Sequence, residues 1–552
     1  MISKEFYKIH TFVVLVLCAK TYVSGGNITI PLNKGITWVN KELYSDFINI
    51  NRSSTIQVNF LDINKNVSFI IFQVHSHMYN VTVYNNSCVR GSCVSGTNIG
   101  LYSSVKTNQD TFFIFNQNEN VDLKLFVSVL GYKDTDPIPG GCNMEFPIPI
   151  SPFMNTILKK DYIYVDAPPA RYYRDPDCIS GSNVNTEFYM MYLPTGDYDA
   201  DTYFGAIKKM MTFDNIRENG DRIPKSIWTM RRMLSLYPGT GVIFVVVASN
   251  NDSNDEYSVY VPTHSYGCQL TEGDMCEVID NNLSRLVCAS LLFVGLFVCY
   301  FGHRFFKTEM FLIGMLSGVV ITFIVISLLV ELDSFDLLSA SIISGIFFGA
   351  SWLTFWWFYG IPVIAVSLPA LNMGFLMSAI IYNKFPGDLL ILQDDFNFWT
   401  LFVLIMLLAS MILVSVAFVS NILCCAVLGS YAIVYPIDFY LGSNIKYLII
   451  NTIRRATVPK FNRAVLMPPF GWRDALVIVL WTGLAISGFL FQHYHNRGRP
   501  PFPPPPRSVR PGRPEPIGYY GAVPATSRNV IPTIRVSGPV VLRTDERTPL
   551  MA

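Results

Sequence analysis

The chain has 552 residues, a net charge of +1, and a composition that is 51% hydrophobic but only 15% charged. Soluble globular proteins carry about 25% charged residues, so one soluble domain is excluded. No basic cluster with interleaved aromatics appears before residue 285, which argues against a nucleic-acid partner.

Residues 1–25 read as a signal peptide. Lys4 and Lys8 precede the apolar run Phe12–Ala19, which is too short to span a bilayer, and small residues follow at Ser24, Gly25 and Gly26. Cleavage is expected between Ala19 and Gly26. Seven Asn-x-Ser/Thr sequons follow, at Asn27, Asn51, Asn66, Asn80, Asn85, Asn251 and Asn282, and none lies beyond them. A sequon matters only on the lumenal side. The sequence therefore predicts a lumenal or extracellular amino-terminal part. Glycans are expected at the first six sites, because Asn282 lies almost against the first long apolar run.

Up to about residue 285, short segments rich in Val, Ile, Phe and Tyr are bounded by Asn, Gly, Asp and Ser. Examples are Thr55–Asn59, Val67–Val74, Tyr79–Tyr84, Thr111–Phe115, Leu123–Val129 and Gly241–Ala248. This pattern predicts an all-β, antiparallel sandwich-like ectodomain. The Pro/Gly-rich stretch Asp136–Gly141 divides it into units over residues 26–138 and 139–285. The second unit is expected to hold one helix, Ala200–Thr212. The unit cysteines Cys88, Cys93, Cys142, Cys178, Cys268 and Cys276 are even in number in an oxidising compartment, which suggests three disulfides with 15 connectivities. The local set Cys88–Cys93, Cys142–Cys178 and Cys268–Cys276 is preferred.

The ectodomain shows little chemistry. His75 and His77 share a strand face without an accompanying carboxylate or Cys motif. Asp197, Asp199 and Asp201 alternate like calcium-loop ligands, but Thr202 and Lys208 stand where an EF-hand needs Gly and Glu. No nucleophile elbow, zinc-protease motif or phosphate loop occurs there. The expectation is a non-enzymatic protein with no metal or cofactor.

Residues 286–491 hold seven predicted spans: Leu286–Gly302, Met310–Val330, Leu337–Tyr359, Ile361–Tyr382, Trp399–Val419, Ile422–Leu441 and Ala475–Phe491. The turn between the fifth and sixth is placed at Ser420-Asn421. With a lumenal amino terminus, seven spans leave the tail cytosolic. The same count puts the basic loop with Lys446, Arg454, Arg455, Lys460, Arg463 and Arg473 on the lumenal side, against the positive-inside rule. A short interfacial helix, Tyr447–Ile453, with its arginines at the headgroups, accommodates it. The span interiors read as nearly free of ionisable groups, which argues against an ion-coupled transporter. Asp438 reads as an interfacial anchor. The pairs Gly314/Gly318 and Gly345/Gly349 predict close helix packing within the chain.

Residues 492–552 contain 13 prolines and nine arginines against three acids, a composition that cannot bury a core. The Arg497, Pro500 and Pro503 spacing fits a loose SH3-ligand pattern. Tyr520 to Val523 has the Tyr-x-x-apolar form of an endocytic signal. Glu546 with Leu550 and Met551 is similar to an acidic dileucine signal. Both predict clathrin adaptors as partners, with cycling between the plasma membrane and endosomal or lysosomal membranes.

Several segments together resemble the seven-transmembrane superfamily member 3 family: Phe301–Glu309, Gly429-Ser430-Tyr431 with Asp438, Arg454-Arg455-Ala456, Phe461-x-Arg463-Ala464, Gly498-Arg499-Pro500 and Glu546–Leu550. The resemblance covers nearly the whole chain and departs at Met551, where the family more often has Leu. It implies a non-enzymatic multipass protein associated with cell survival and with damping endoplasmic-reticulum stress and the unfolded protein response. The expected function is binding or scaffolding, with a protein or glycan ligand at the ectodomain and the bilayer as solvent. The alternatives are an orphan receptor and a transporter or channel for a neutral or lipid-like solute.

Overall fold

The computed structural model describes residues 23–32, 41–85, 93–105, 110–142, 154–172, 178, 184–250, 256–268, 276, 282–384 and 389–503. Residues 1–22 of the predicted signal peptide, Cys88, Asn251 and the sorting residues Tyr520, Val523, Glu546, Leu550 and Met551 lie outside them.

The first unit is a two-sheet sandwich. Its strands are β1 (Val23–Pro31), β2 (Glu42–Ile50), β3 (Ser54–Leu61), β4 (Phe69–Ser76), β5 (Val81–Asn85), β6 (Cys93–Gly96), β7 (Asn98–Ser104), β8 (Asp110–Phe115) and β9 (Leu123–Tyr132). One sheet runs β1-β3-β8-β5-β6 and the other β2-β9-β4-β7. The expectation of purely antiparallel pairing fails at one edge, where β1 runs parallel to β3. An edge strand has one free side and takes either direction without disturbing the ladder within. The core between the sheets is aromatic and aliphatic, with Phe60 against Phe72 and Phe112.

Strand β4 is buried along its whole length. Ile70, Phe72 and Val74 face the sandwich core. Phe69 and Ile71 face away and pack with Val261 of the second unit. That double burial explains why the segment FIIFQVHS reads as a continuous apolar run rather than an alternation.

The second unit contains β10 (Pro137–Ile138), β11 (Asn155–Leu158), β12 (Tyr162–Asp166), β13 (Arg171–Tyr172), β14 (Val184–Tyr192), β15 (Asp221–Arg222), β16 (Arg231–Ser235), β17 (Val242–Asn250), β18 (Tyr257–Val259) and β19 (Thr263–Ser265). Its main sheets are β11-β12-β16 and β15-β14-β17-β18, with β19 also on β17. The predicted single helix is two: α1 (Ala200–Lys209) and α2 (Phe213–Asn219). Asp199 caps α1 by accepting from the amides of Asp201 and Thr202, and Asp197 accepts from the Asp199 amide and the Thr202 hydroxyl. The acidic triplet is thus a helix start.

The units are packed closely against each other. Helix α1 and β17 enclose Phe126 of β9. Asp136, at the predicted boundary, is buried and pairs with Lys41 at 2.7 Å. The segment Asp136–Gly141 is therefore a fixed joint, in which β10 pairs with β13.

Seven helices follow that are long and apolar enough to cross a membrane. They are α3 (Asn282–Phe301), α4 (Phe306–Leu329), α5 (Ser334–Tyr359), α6 (Pro362–Lys384), α7 (Asp395–Ser415), α8 (Ala417–Leu441) and α10 (Trp472–His495); α9 (Tyr447–Thr457) lies between the last two. The turn between α7 and α8 falls at Val416, four residues before the expected Ser420-Asn421. Asn421 is inside α8 and fully buried. The glycine pairs of α4 and α5 meet face to face: a Cβ on Gly314 or Gly318 would stand 3.0 Å from the Cα of Gly349 or Gly345 respectively. Only glycine permits that approach.

Candidate functional site

The loop between α8 and α10 is the junction between ectodomain and helices. It begins at Gly442, which ends α8 with a left-handed backbone (φ +69°) that glycine adopts without steric cost. Asp438, one turn earlier, is fully buried. It accepts from the Ser443 hydroxyl and from the amides of Ile445 (3.2 Å) and Lys446 (3.0 Å), and pairs with the Lys446 ammonium at 3.2 Å. Burial draws the Lys446 pKa down and Asp438 opposes it. At the loop's end, Asp474 accepts from the Asn444 amide (2.6 Å) and from the amide of Gly471, the N-cap of α10 (2.7 Å), which is the N3 half of a capping box. Two carboxylates therefore hold the loop's entry to its exit.

Helix α9 covers the expected Tyr447–Ile453, but Arg454 turns into the ectodomain instead of away from the protein. Its guanidinium donates to Asp161 (3.0 Å), the Leu236 carbonyl (2.8 Å) and Ser235 Oγ (3.3 Å). Ser235 donates to Asn451 (2.8 Å), and Asn451 donates to Asn383 of α6 (3.0 Å). Tyr237 meets Tyr447 edge-on with centroids 4.8 Å apart. Further along, Val465 extends the β16 edge by a parallel bridge to Leu234 and enters the core of the second unit. Tyr192 donates to the Met467 carbonyl (2.7 Å), and Arg473 to the Thr195 carbonyl (3.1 Å). The loop thus lies on the ectodomain's side of the bundle. Lys446, Arg454, Arg455 and Arg473 of this loop find partners in protein.

At the other end of α8 the structure corrects the expectation of span interiors nearly free of charge. Helix α4 starts at Phe306, and Glu309 is fully buried in its first turn. The Asn421 amide nitrogen lies 2.9 and 3.0 Å from the two Glu309 oxygens and 3.0 Å from His303 Nδ1. The Cys425 thiol also bonds Glu309. Asn421 Oδ1 has no hydrogen-bond partner among the described residues. His303 bonds the Pro501 carbonyl, and its ring meets Phe502, so the start of the tail covers this cluster. No Lys or Arg pairs with Glu309 among the described residues.

A third polar cluster lies between the ectodomain units. His75 Nδ1 is 2.7 Å from Asn98 Oδ1, which also accepts from Tyr203 (2.6 Å), and Asn98 Nδ2 is 2.5 Å from His264 Nδ1. Burial drives His75 down to about 4 and His264 to about 3, the latter also repelled by His77 and His75. Both are neutral at pH 7. No group of three or more metal-type side chains is placed to hold an ion among the described residues.

The other sequence-predicted sites are dispersed. Asn27, Asn51, Asn66 and Asn80 are exposed and Asn85 is half-buried. Cys142–Cys178 and Cys268–Cys276 are bonded, and Cys93 is also in a disulfide.

Comparison with known proteins agrees with this architecture. Three family models match: TM7SF3-like, N-terminal immunoglobulin-like domain, over residues 39–132; TM7SF3-like, second immunoglobulin-like domain, over 137–271; and TM7S3/TM198-like domain, over 288–493. The human protein Transmembrane 7 superfamily member 3 (Homo sapiens) is 29% identical over 478 residues, 83% of each chain. Its Mus musculus counterpart is 30% identical over 479 residues, 83% of this chain and 84% of its own. The chain is a multipass membrane protein with two immunoglobulin-like domains, and it belongs to the transmembrane 7 superfamily member 3 family.

Proposed function

We propose that the chain is a glycosylated, non-enzymatic binding and scaffolding protein that supports cell survival by damping endoplasmic-reticulum stress and the unfolded protein response. The observation that carries this reading is the junction. Arg454 on Asp161 and Val465 on the β16 edge make the second ectodomain unit and the loop one body. A load placed on the ectodomain by a protein or glycan is then borne by α8, α9 and α10 together. The exposed Asn27, Asn51, Asn66 and Asn80 support a lumenal ectodomain carrying glycans. Seven spans then leave the tail cytosolic, where Tyr520, Val523, Glu546, Leu550 and Met551 are available to clathrin adaptors. In this reading the protein cycles between the plasma membrane and endosomal or lysosomal membranes.

The test is an unfolded-protein-response reporter in cells lacking the chain, stressed with a reductant. Re-expression of the wild type should lower reporter induction, and Arg454→Ala at equal surface level should restore it. Equal induction with and without the chain would refute the stress role.

The Glu309 cluster favours a second reading, a transport path, because a carboxylate buried among spanning helices usually marks an ion or proton route. Proton or solute flux into liposomes that depends on Glu309 supports it, and flux unchanged in Glu309→Gln removes it.

A further inference from the structure

A small open cleft, about 60 Å³ in volume, lies where α6, α7 and α9 meet the ectodomain side of the bundle. That is room for a few water-sized groups, the scale of one charged group rather than of a large ligand. Its floor is aromatic, with Phe398 under the Arg455 guanidinium at 4.5 Å. Its polar wall is left unsatisfied in a consistent way. Arg455 has a side chain only 2% exposed, yet its Nε has no partner among the described residues. Gln393 Oε1 and Asn462 Oδ1 line the same cleft, are buried, and also have none. Buried polar atoms without partners are uncommon in folded proteins, and three on one wall point to a ligand.

The donor set specifies that ligand. Arg455 Nη2 is used by Asp395 (2.9 Å) and the Leu392 carbonyl (3.2 Å), leaving the Nε side open to an anion. Arg463, a second cation on the rim, stacks on Trp228 at 4.7 Å and keeps its charge free of any acidic partner among the described residues. Asp394 is occupied in capping α7 through the Asn397 amide. The orphaned oxygens of Gln393 and Asn462 need donors. Asn462 cannot reverse its amide without losing its bond to the Gln393 carbonyl (3.1 Å). An anion that carries its own N–H or O–H group meets both demands. The position supplies the rest: Leu390 and Ile391, on the short turn Leu390–Gln393 before α7, and Phe396 at the start of α7 are exposed large apolar residues.

We propose that this cleft binds the headgroup of a phospholipid whose phosphate adjoins an ammonium or hydroxyl donor. The phosphate sits on Arg455 Nε and Arg463, and the donor on Gln393 and Asn462. Guanidinium groups suit phosphate geometry, and basic pockets beside spans hold lipid headgroups in this manner. The bound lipid lies in the ectodomain-side leaflet, directly beneath the junction.

The experiment is native mass spectrometry of the full-length glycoprotein, delipidated in detergent and then titrated. Phosphatidylethanolamine and phosphatidylglycerol should each be retained at least ~10-fold more strongly than phosphatidylcholine, whose headgroup carries no donor; ten-fold corresponds to about 1.4 kcal/mol. Arg455→Lys, which keeps the charge and removes Nε, and Arg463→Gln, at the half-buried rim, should each weaken retention of all three lipids while leaving the thermal midpoint within a few degrees, and Gln393→Leu should abolish the preference over phosphatidylcholine. Equal retention of phosphatidylcholine by the wild type overturns the donor assignment. Unchanged retention in both arginine variants overturns the site. Displacement of the lipid by equimolar O-phosphoethanolamine overturns the lipid and assigns a soluble phosphomonoester.

Discussion

Helix α8 carries a buried polar centre at each end, and the two are built differently. Asp438 and Asn421 are 17 residues apart in sequence, about 25 Å along the helix. At the ectodomain end, Asp438 is matched by the Lys446 ammonium, two amides and a hydroxyl. At the far end, Glu309 has an amide shared with His303 and one thiol, and no cation among the described residues. A carboxylate whose bonds are all made holds structure together; one whose charge is unmatched can take up a proton or a ligand. The difference separates the joint that ties ectodomain to membrane from the place where chemistry can happen.

The largest expected effect tests the matched end. Asp438→Ala strands Lys446 in a buried site and frees the loop amides, at a cost of about 3–5 kcal/mol. Detergent-solubilised protein should lose its cooperative thermal transition or fall sharply in midpoint. Lys446→Met added to Asp438→Ala should recover part of the loss. If the double variant is worse than the single one by the full cost of a second independent site, the two residues are not a pair.

Acid breaks a third kind of buried polar centre, the uncharged one between the ectodomain units. His75 and His264 have folded values depressed to about 4 and about 3 from 6.5. The sign follows from that depression. Above pH 6.5 neither state binds the proton and nothing changes. Below it the unfolded chain takes up protons that the folded one refuses, so stability falls with falling pH until the folded values are reached. The slope grows towards about 1.4 kcal/mol per pH unit for each histidine as the unfolded one becomes protonated, so each loses about 1 kcal/mol and the pair about 2 kcal/mol between pH 6.5 and 5.5. Unfolding of wild type against His264→Gln across that range reads it, and an acid slope undiminished in the variant would sink the assignment.

Arg454→Ala is a smaller lesion, of about 2 kcal/mol, because Asp161 on the other side of the pair is partly solvated and its charge is not left stranded. Hydrogen exchange should quicken in β12, β16 and α9 and leave the far end of α8 unchanged. Uniform quickening through α4 and α5 would mean that the two ends of the bundle are not separate after all.

Much of this organisation is legible in the chain and some of it is not, for physical reasons. The apolar runs locate seven helices because span length is set by the bilayer. In the first sandwich the named apolar segments overlap β3, β4, β5, β8 and β9, while β1, β2, β6 and β7 fall outside them. The junction is illegible: Arg454 and Asp161 are 293 residues apart, and nothing local marks a loop arginine as bound for a distant sheet. Glu309 is hidden for a different reason. In the segment FGHRFFKTE it stands among Arg304 and Lys307, which are surface charges, and reads as part of a polar connection. One signal was present: Glu309 lies four and eight residues before Ile313 and Ser317, on the buried stripe of α4, whereas Lys307 lies off it. The sequence places Asn421 at a turn, whereas the helix break falls at Val416 and Asn421 lies inside α8.

The smallest expected effect bears hardest on the comparison. Glu309→Gln keeps an acceptor for the Asn421 amide and removes a charge that no cation offsets, so the fold should change by less than about 1 kcal/mol. Asp438→Asn, the same chemical change at the other end, removes the charge that Lys446 needs and should cost several times more. Thermal midpoints of the two variants in one detergent decide the matter. If Glu309→Gln is as damaging as Asp438→Asn, Glu309 is a structural ion whose counter-charge is supplied from outside the bundle, and a transport path at that end loses its ground. If it is silent in stability yet alters proton uptake or solute flux, the unmatched end of α8 is the working one.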